Sequence, residues 1–271
     1  MSDKKETFGG EIAKNLPVKE IYNDVAHPAL STLGQTLQGA TRVALAPISA
    51  LIWGYDKIAA YLDVAIPEYF ARKNIKEENI KSPDPSIAVP VIEAMRYTSH
   101  KEELREMFTN ILGNSMNSET YDEHPAFVEI IKQLCSDECK MLRYICEDFS
   151  FPMIKIGIEK ENNMSVDVYP YFSDICFKCG CEYPIKFPEY LDNLKRLGLV
   201  DVDERHFMSN DAVYQVLRDN LYYSIRTSVL KSRGNTIKEN KGIFEISEFG
   251  KVFCSVCMDI PMEKIKQPKK K

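Results

Sequence analysis

Cysteine is the residue type whose spacing first suggests chemistry in this chain. Cys176-Phe177-Lys178-Cys179 and Cys254-Ser255-Val256-Cys257 form two C-x-x-C pairs. Four thiolates at that local spacing would suit a tetrahedral Zn2+ ion, and Gly180 would ease the turn behind Cys179. Cys176, Cys179, Cys254 and Cys257 are therefore candidate metal ligands, and structural zinc is the one cofactor the sequence suggests. The plainer reading makes them small buried apolar side chains. The second pair falls on a predicted helix, where residues three apart share one face and tend to pack into a core. A redox use of C-x-x-C lacks the preceding βαβ context that thioredoxin-like sites have.

Other residue types offer less. The four histidines, His27, His100, His124 and His206, match no H-E-x-x-H spacing, and His27 and His124 each precede a proline at a helix entry. No G-x-x-x-x-G-K-[ST] phosphate loop occurs, and Gly9-Gly10 sits in a polar arm. No catalytic set emerges, so a non-enzymatic protein is expected. The net charge is -5, and Lys186 to Asp259 carries about eleven basic and eleven acidic residues, a poor electrostatic footprint for nucleic acid. Lys195 and Arg196 are the candidate phosphate contacts if nucleic acid is nonetheless the partner.

The longest uncharged run, VALAPISALIWGY between Arg42 and Asp56, has 13 residues. That is short of the roughly 18 needed to span a bilayer. Leu45, Ile48, Leu51, Ile52 and Trp53 within it are the candidate interaction surface, toward a protein partner or a membrane interface, with core packing as the plainer alternative. The start MSDKKETFGGEIAKN lacks an apolar leader. With eight cysteines, this predicts reduced thiols and a cytoplasmic location, membrane association being the alternative.

The elements that would position these residues follow from apolar spacing. A helix broken at Pro47 is predicted over 28–62, and the prolines of KSPDPSIAVP predict a loop over 81–90. Helical period resumes at Val91, and Ser99 with Glu102 fits a capping box before the stripe Leu104, Met107, Phe108, Ile111 and Leu112. His124-Pro125 opens a helix with Phe127, Ile130, Ile131 and Leu134, and Ser136 caps the next, carrying Met141, Leu142 and Ile145.

Beyond Ser150 the period becomes two. Ile154, Ile156 and Ile158, then Val166 and Val168, predict a hairpin around the polar ENN at 161–163. A helix over 188–197 with Gly198 behind it, a strand near 199–202 and one helix over 210–231 follow. Val213, Leu217, Leu221, Ile225 and Val229 recur there at every fourth residue. A strand at Ile243–Ile246 and a helix capped by Ser247 close the pattern.

The segment HKEELREMFTNILGNSMNSETYDEHPAFVEIIKQLCSDECKML, residues 100–142, resembles the abortive-infection alpha (Abi-alpha) family of bacterial phage-defence proteins. The matching residues are Glu103 to Phe108, Ile111-Leu112, Ser115-Met116, His124-Pro125, Phe127-Val128, Ile130-Ile131, Gln133-Leu134 and Glu138. Leu33-Gly34, Leu194 to Val200 and Ile246 to Phe253 are similar to other parts of the family pattern, whereas Cys139 stands where a small apolar residue is more usual. The resemblance implies phage defence by abortive infection and brings no catalytic residues. The expected fold is mainly α with an α+β C-terminal part. It comprises an arm at 1–26, a helical domain at 27–149, a winged-helix-like domain at 150–260 and a basic tail at 261–271. The expected partner is a protein or phage component, with nucleic acid or a membrane surface as alternatives.

Overall fold

The computed structural model describes residues 53–120, 124–148, 150–159 and 164–265. The arm 1–26, most of the helix expected over 28–62, the ENN turn and the last tail residues lie outside the described residues. The described chain is mainly helical, with a four-stranded antiparallel sheet in its C-terminal part. It divides between Leu134 and Cys135 into two compact units.

The first unit holds α1 (Tyr55–Lys73), α2 (Pro85–Thr98), α3 (Glu102–Ser115) and α4 (Ala126–Lys132). The stripes of α3 and α4 are buried as their spacing predicts: Leu104, Met107, Phe108, Ile111 and Leu112, then Phe127, Ile130, Ile131 and Leu134. α1 packs closely on α3. The ring of Tyr69 lies so near Gly113 that a Cβ there would overlap it. Tyr61 Oη meets Thr109 Oγ1 at 3.1 Å, and Arg72 Nη2 donates to Asn110 Oδ1 at 2.9 Å.

Two expectations fail in this unit. The loop predicted over 81–90 ends at Asp84, because α2 begins at Pro85. Asp84 caps it by accepting from the Ser86 amide at 2.7 Å, and Pro85 occupies the first helical position, where no amide partner is needed. Pro90 forfeits a helical hydrogen bond, at a cost of about 3 kcal/mol. Burial of Ile87, Val91, Ile92 and Met95 outweighs it, at about 1.5–3 kcal/mol per large apolar side chain. The capping box at Ser99 does not form either. α2 runs to Thr98, so Ser99 takes helical backbone angles (φ -65°, ψ -7°) instead of the extended ones an N-cap needs. Its buried hydroxyl has no partner, while its carbonyl accepts from Arg105 Nη1 at 2.9 Å.

The second unit begins with α5 (Ser136–Ile145), followed by β1 (Phe151–Glu159), β2 (Ser165–Phe172), α6 (Ile175–Lys178) and α7 (Phe187–Arg196). Then come β3 (Val200–Asp203), α8 (Ala212–Arg218), α9 (Leu221–Ser232), β4 (Ile237–Ile246) and α10 (Glu248–Cys257). The sheet order is β2-β1-β4-β3, antiparallel throughout. The predicted hairpin is present, with Ile158 opposite Val166. Ile154, Ile156 and Phe172 pack with Tyr214, Leu217, Tyr223 and Leu230 in one core. Gly198 follows α7 at φ +73°, a left-handed position that suits glycine. Ser247 caps α10, its Oγ accepting from the Gly250 amide at 2.8 Å.

Two boundaries shift here. Cys135, not Ser136, is the N-cap of α5, and the reciprocal bond comes from Glu138 Oε2, which accepts the Cys135 amide at 2.7 Å. The single helix predicted over 210–231 is two helices. Asn220 is extended (φ -64°, ψ 129°) and starts α9 by accepting from the Tyr222 amide at 2.9 Å.

Candidate interaction surface

The break at Asn220 changes which face of the chain is buried. Leu217 sits in the core, but the continuation of its every-fourth stripe does not. Leu221 is 74%, Ile225 54% and Val229 43% exposed. In α9 the buried positions are Tyr223, Thr227 and Leu230. A stripe whose spacing predicts burial is thereby turned to solvent over its second half.

The formal charges within α9 itself have one sign, although Glu189 and Asp192 line the cavity beside Arg226 and Glu239 accepts the Tyr223 hydroxyl. Residues 221–232 contain no acid. Among the described residues no ion pair engages Arg226, Lys231 or Arg233, whereas Arg218 on α8 is bound to Glu239 at 2.9 Å. The Arg226 guanidinium lies over Tyr169 (4.1 Å) and Tyr222 (4.3 Å), held by ring faces instead of a carboxylate. Next to it opens a cavity of about 360 Å3 whose lining includes Tyr169, Phe172, Ile185, Tyr222 and the acidic Glu189 and Asp192. The Tyr222 hydroxyl is buried without a partner.

A buried carboxylate positions one wall of this cavity. Asp137 Oδ1 accepts the Glu182 amide at 2.8 Å, and Oδ2 accepts the Tyr183 amide and the Tyr190 hydroxyl, each at 3.0 Å. Burial disfavours its charge, but these donors outweigh burial and hold the Asp137 carboxyl below its ordinary value. The same burial and carboxylate push the Tyr190 phenol up. The neighbouring Glu138 accepts from Asn193 Nδ2 at 2.7 Å. The acidic pair at the start of α5 thus anchors residues 182–193. Local spacing does not reveal these partners, which lie 45 to 55 residues further along the chain.

Among the described residues no group of three or more His, Cys, Asp or Glu side chains is placed to hold a metal ion. Cys176 Sγ meets Met141 Sδ at 3.4 Å, and Cys179 Sγ lies 3.5 Å from Cys181 Sγ. Cys254 is buried, its thiol pushed up by a hydrogen bond with Cys146 and by burial, and burial likewise pushes up Cys257. Cys181 is pushed up to about 12 by its bond with Cys176 and by burial. Cys176, Cys254 and Cys257 are buried, whereas Cys179 is half-buried.

Of the expected interaction residues, Leu45, Ile48, Leu51 and Ile52 lie outside the described residues. Trp53 is a core residue instead of a surface one. It is 8% exposed, its amide donates to the Arg96 carbonyl at 2.9 Å, and Tyr61 packs edge-on against its ring. Lys195 and Arg196 are exposed in the last turn of α7. Lys195 shares a cleft with Asp201, Asp203, Glu204 and Glu245, and Arg196 Nη2 donates to Asn193 at 2.6 Å. Arg205 lines the same cleft. On the sheet, Lys155 binds Glu204 at 2.8 Å and Asp167 at 3.1 Å, so its charge is taken up by two carboxylates. Among the described residues no helix is long and apolar enough to cross a membrane.

A helical unit followed by a unit of helices on a small antiparallel sheet is the class this geometry defines. The sequence pattern of the family "Abortive infection alpha" matches residues 62–257, and the chain belongs to that family. The match runs from α1 through α10 and includes Asp137, Glu138 and all of α9. No curated protein matches. A solved structure of an uncharacterized protein from the hydrocarbon-degrading marine bacterium Alcanivorax borkumensis SK2 is similar at 16% identity, covering 50% of this chain and 96% of that one with a TM-score of 0.37.

Proposed function

We propose that the chain is a non-enzymatic phage-defence protein that acts by abortive infection through contact with another protein. The family match over 62–257 is the observation that carries this reading. The exposed stripe of α9 supports a binding role, because soluble proteins seldom present ordered apolar rows to water without use. The order α7, β3, the inserted α8 and α9, β4 and α10 supports a winged-helix-like reading of residues 150–260. Such modules serve protein contact as readily as nucleic-acid contact. The acidic surroundings of Lys195 favour protein contact.

The test is a phage challenge of bacteria carrying the gene, scored by infective centres and phage yield per infected cell. Reduced yield with loss of host viability supports the reading. Unchanged yield across a broad phage panel removes it.

A further inference from the structure

We infer that the outer face of α9 is a docking site for an acidic amphipathic helix of a partner protein. The inference rests on the protein-contact reading above and names its surface and the chemistry of the partner.

Leu221, Ile225 and Val229 are spaced by four and exposed, so they form one ridge along α9. Ser224, Ser228 and Ser232 run beside them at the same spacing and leave a shallow row. A ridge next to a row of small side chains is the surface a second helix packs on, its own ridge filling the groove. An apolar stripe on the partner answers Leu221, Ile225 and Val229.

Charge selects the kind of helix. The sole ionisable groups with a formal charge in α9 are Arg226 and Lys231, with Arg233 just beyond its end. None of the three is engaged in an ion pair among the described residues. Carboxylates flanking the partner's apolar stripe would pair with these cations, and lysines there would be repelled. A second copy of α9 would bring like charges together, which disfavours self-association through this face.

The experiment is fluorescence anisotropy with the full chain and a labelled synthetic helix bearing leucines on one face and glutamates on its flanks. A control peptide carries lysines in place of the glutamates. The acidic peptide is expected to bind at least about tenfold more tightly than the control. Its affinity is expected to fall severalfold between about 50 and 300 mM salt, as screened charge attraction requires. Ile225→Asp should weaken binding about tenfold or more while the thermal unfolding midpoint stays put, because the residue is exposed. A double variant, Lys231→Glu with Arg233→Glu, should remove the preference for the acidic peptide.

Equal binding of both peptides, or an unaffected Ile225→Asp, overturns the proposal. So does Ile225-dependent sedimentation with phosphatidylglycerol vesicles that the acidic peptide fails to compete, which would make the face a lipid contact. Concentration-dependent dimers abolished by Ile225→Asp would overturn it too, by assigning the face to a second copy. Peptide affinity is read without phage, so a failure there leaves the phage challenge to decide the broader function independently.

Discussion

The carboxylate of Asp137 accepts the Tyr190 hydroxyl at 3.0 Å across 53 residues of sequence. With the amides of Glu182 and Tyr183 it makes three bonds to one buried side chain. Those bonds pin the segment that leads into α7 and carries Ile185 to the cavity wall.

Asp137→Asn should therefore destabilise the protein by about 2–3 kcal/mol, because one amide nitrogen must face donors and a charge-assisted set is lost. Its folded carboxyl lies below 3.8, so Asp137 contributes stability that is present above pH 3.8 and lost as pH falls through the folded value. Urea unfolding at neutral pH and near pH 3 checks both. The variant should lose more stability at neutral pH than at acid pH, and equal losses would contradict the assigned charge.

Gly250→Ala should cost about 1–3 kcal/mol or prevent folding, as overpacking does. A Cβ there would collide with the Leu199 carbonyl, part of the backbone that also accepts the Ser247 amide at 3.0 Å. Gly54→Ala is the matched control, since nothing lies within 4 Å of its added Cβ. Thermal melts of the two variants should separate clearly. Coincident melts would contradict the packing of α10 on the β3 end.

Periodicity makes α3, α4, the β1–β2 hairpin and the Ser247 cap legible, because each is set by local spacing and one-sided burial. It misleads at Pro85 and Pro90, where a proline inside the first turns reads as a loop until the burial of Ile87 and Met95 is known. It misleads again at Asn220. A stripe at every fourth residue looks continuous through Leu217 and Leu221, and one extended residue between them sends the second half outward. Asp137 is visible in sequence but not its role, since Glu182, Tyr183 and Tyr190 come near it only in three dimensions. The two C-x-x-C pairs share a spacing with zinc sites, and local spacing says nothing of whether distant pairs converge.

Thiol accessibility gives a further check. Cys135 and Cys179 are partly exposed, while Cys146, Cys254 and Cys257 are buried. Alkylation under native conditions, followed by mass spectrometry, should label the first two before the last three. Labelling should accelerate as pH rises, because burial and neighbouring groups push the Cys135 and Cys179 thiols up. Early labelling of Cys254 or Cys257 would contradict the core placement of α10.

Host defence through the exposed face of α9 stands or falls on phage yield per infected cell. The comparison uses isogenic bacteria carrying the wild-type chain, the Ile225→Asp variant or neither, with protein levels matched by immunoblot. The wild-type chain should lower the yield and the number of infective centres, and Ile225→Asp should restore both toward the level without the gene. Equal protection by the folded Ile225→Asp variant, or no protection by the wild type against any phage of a broad panel, would contradict that role.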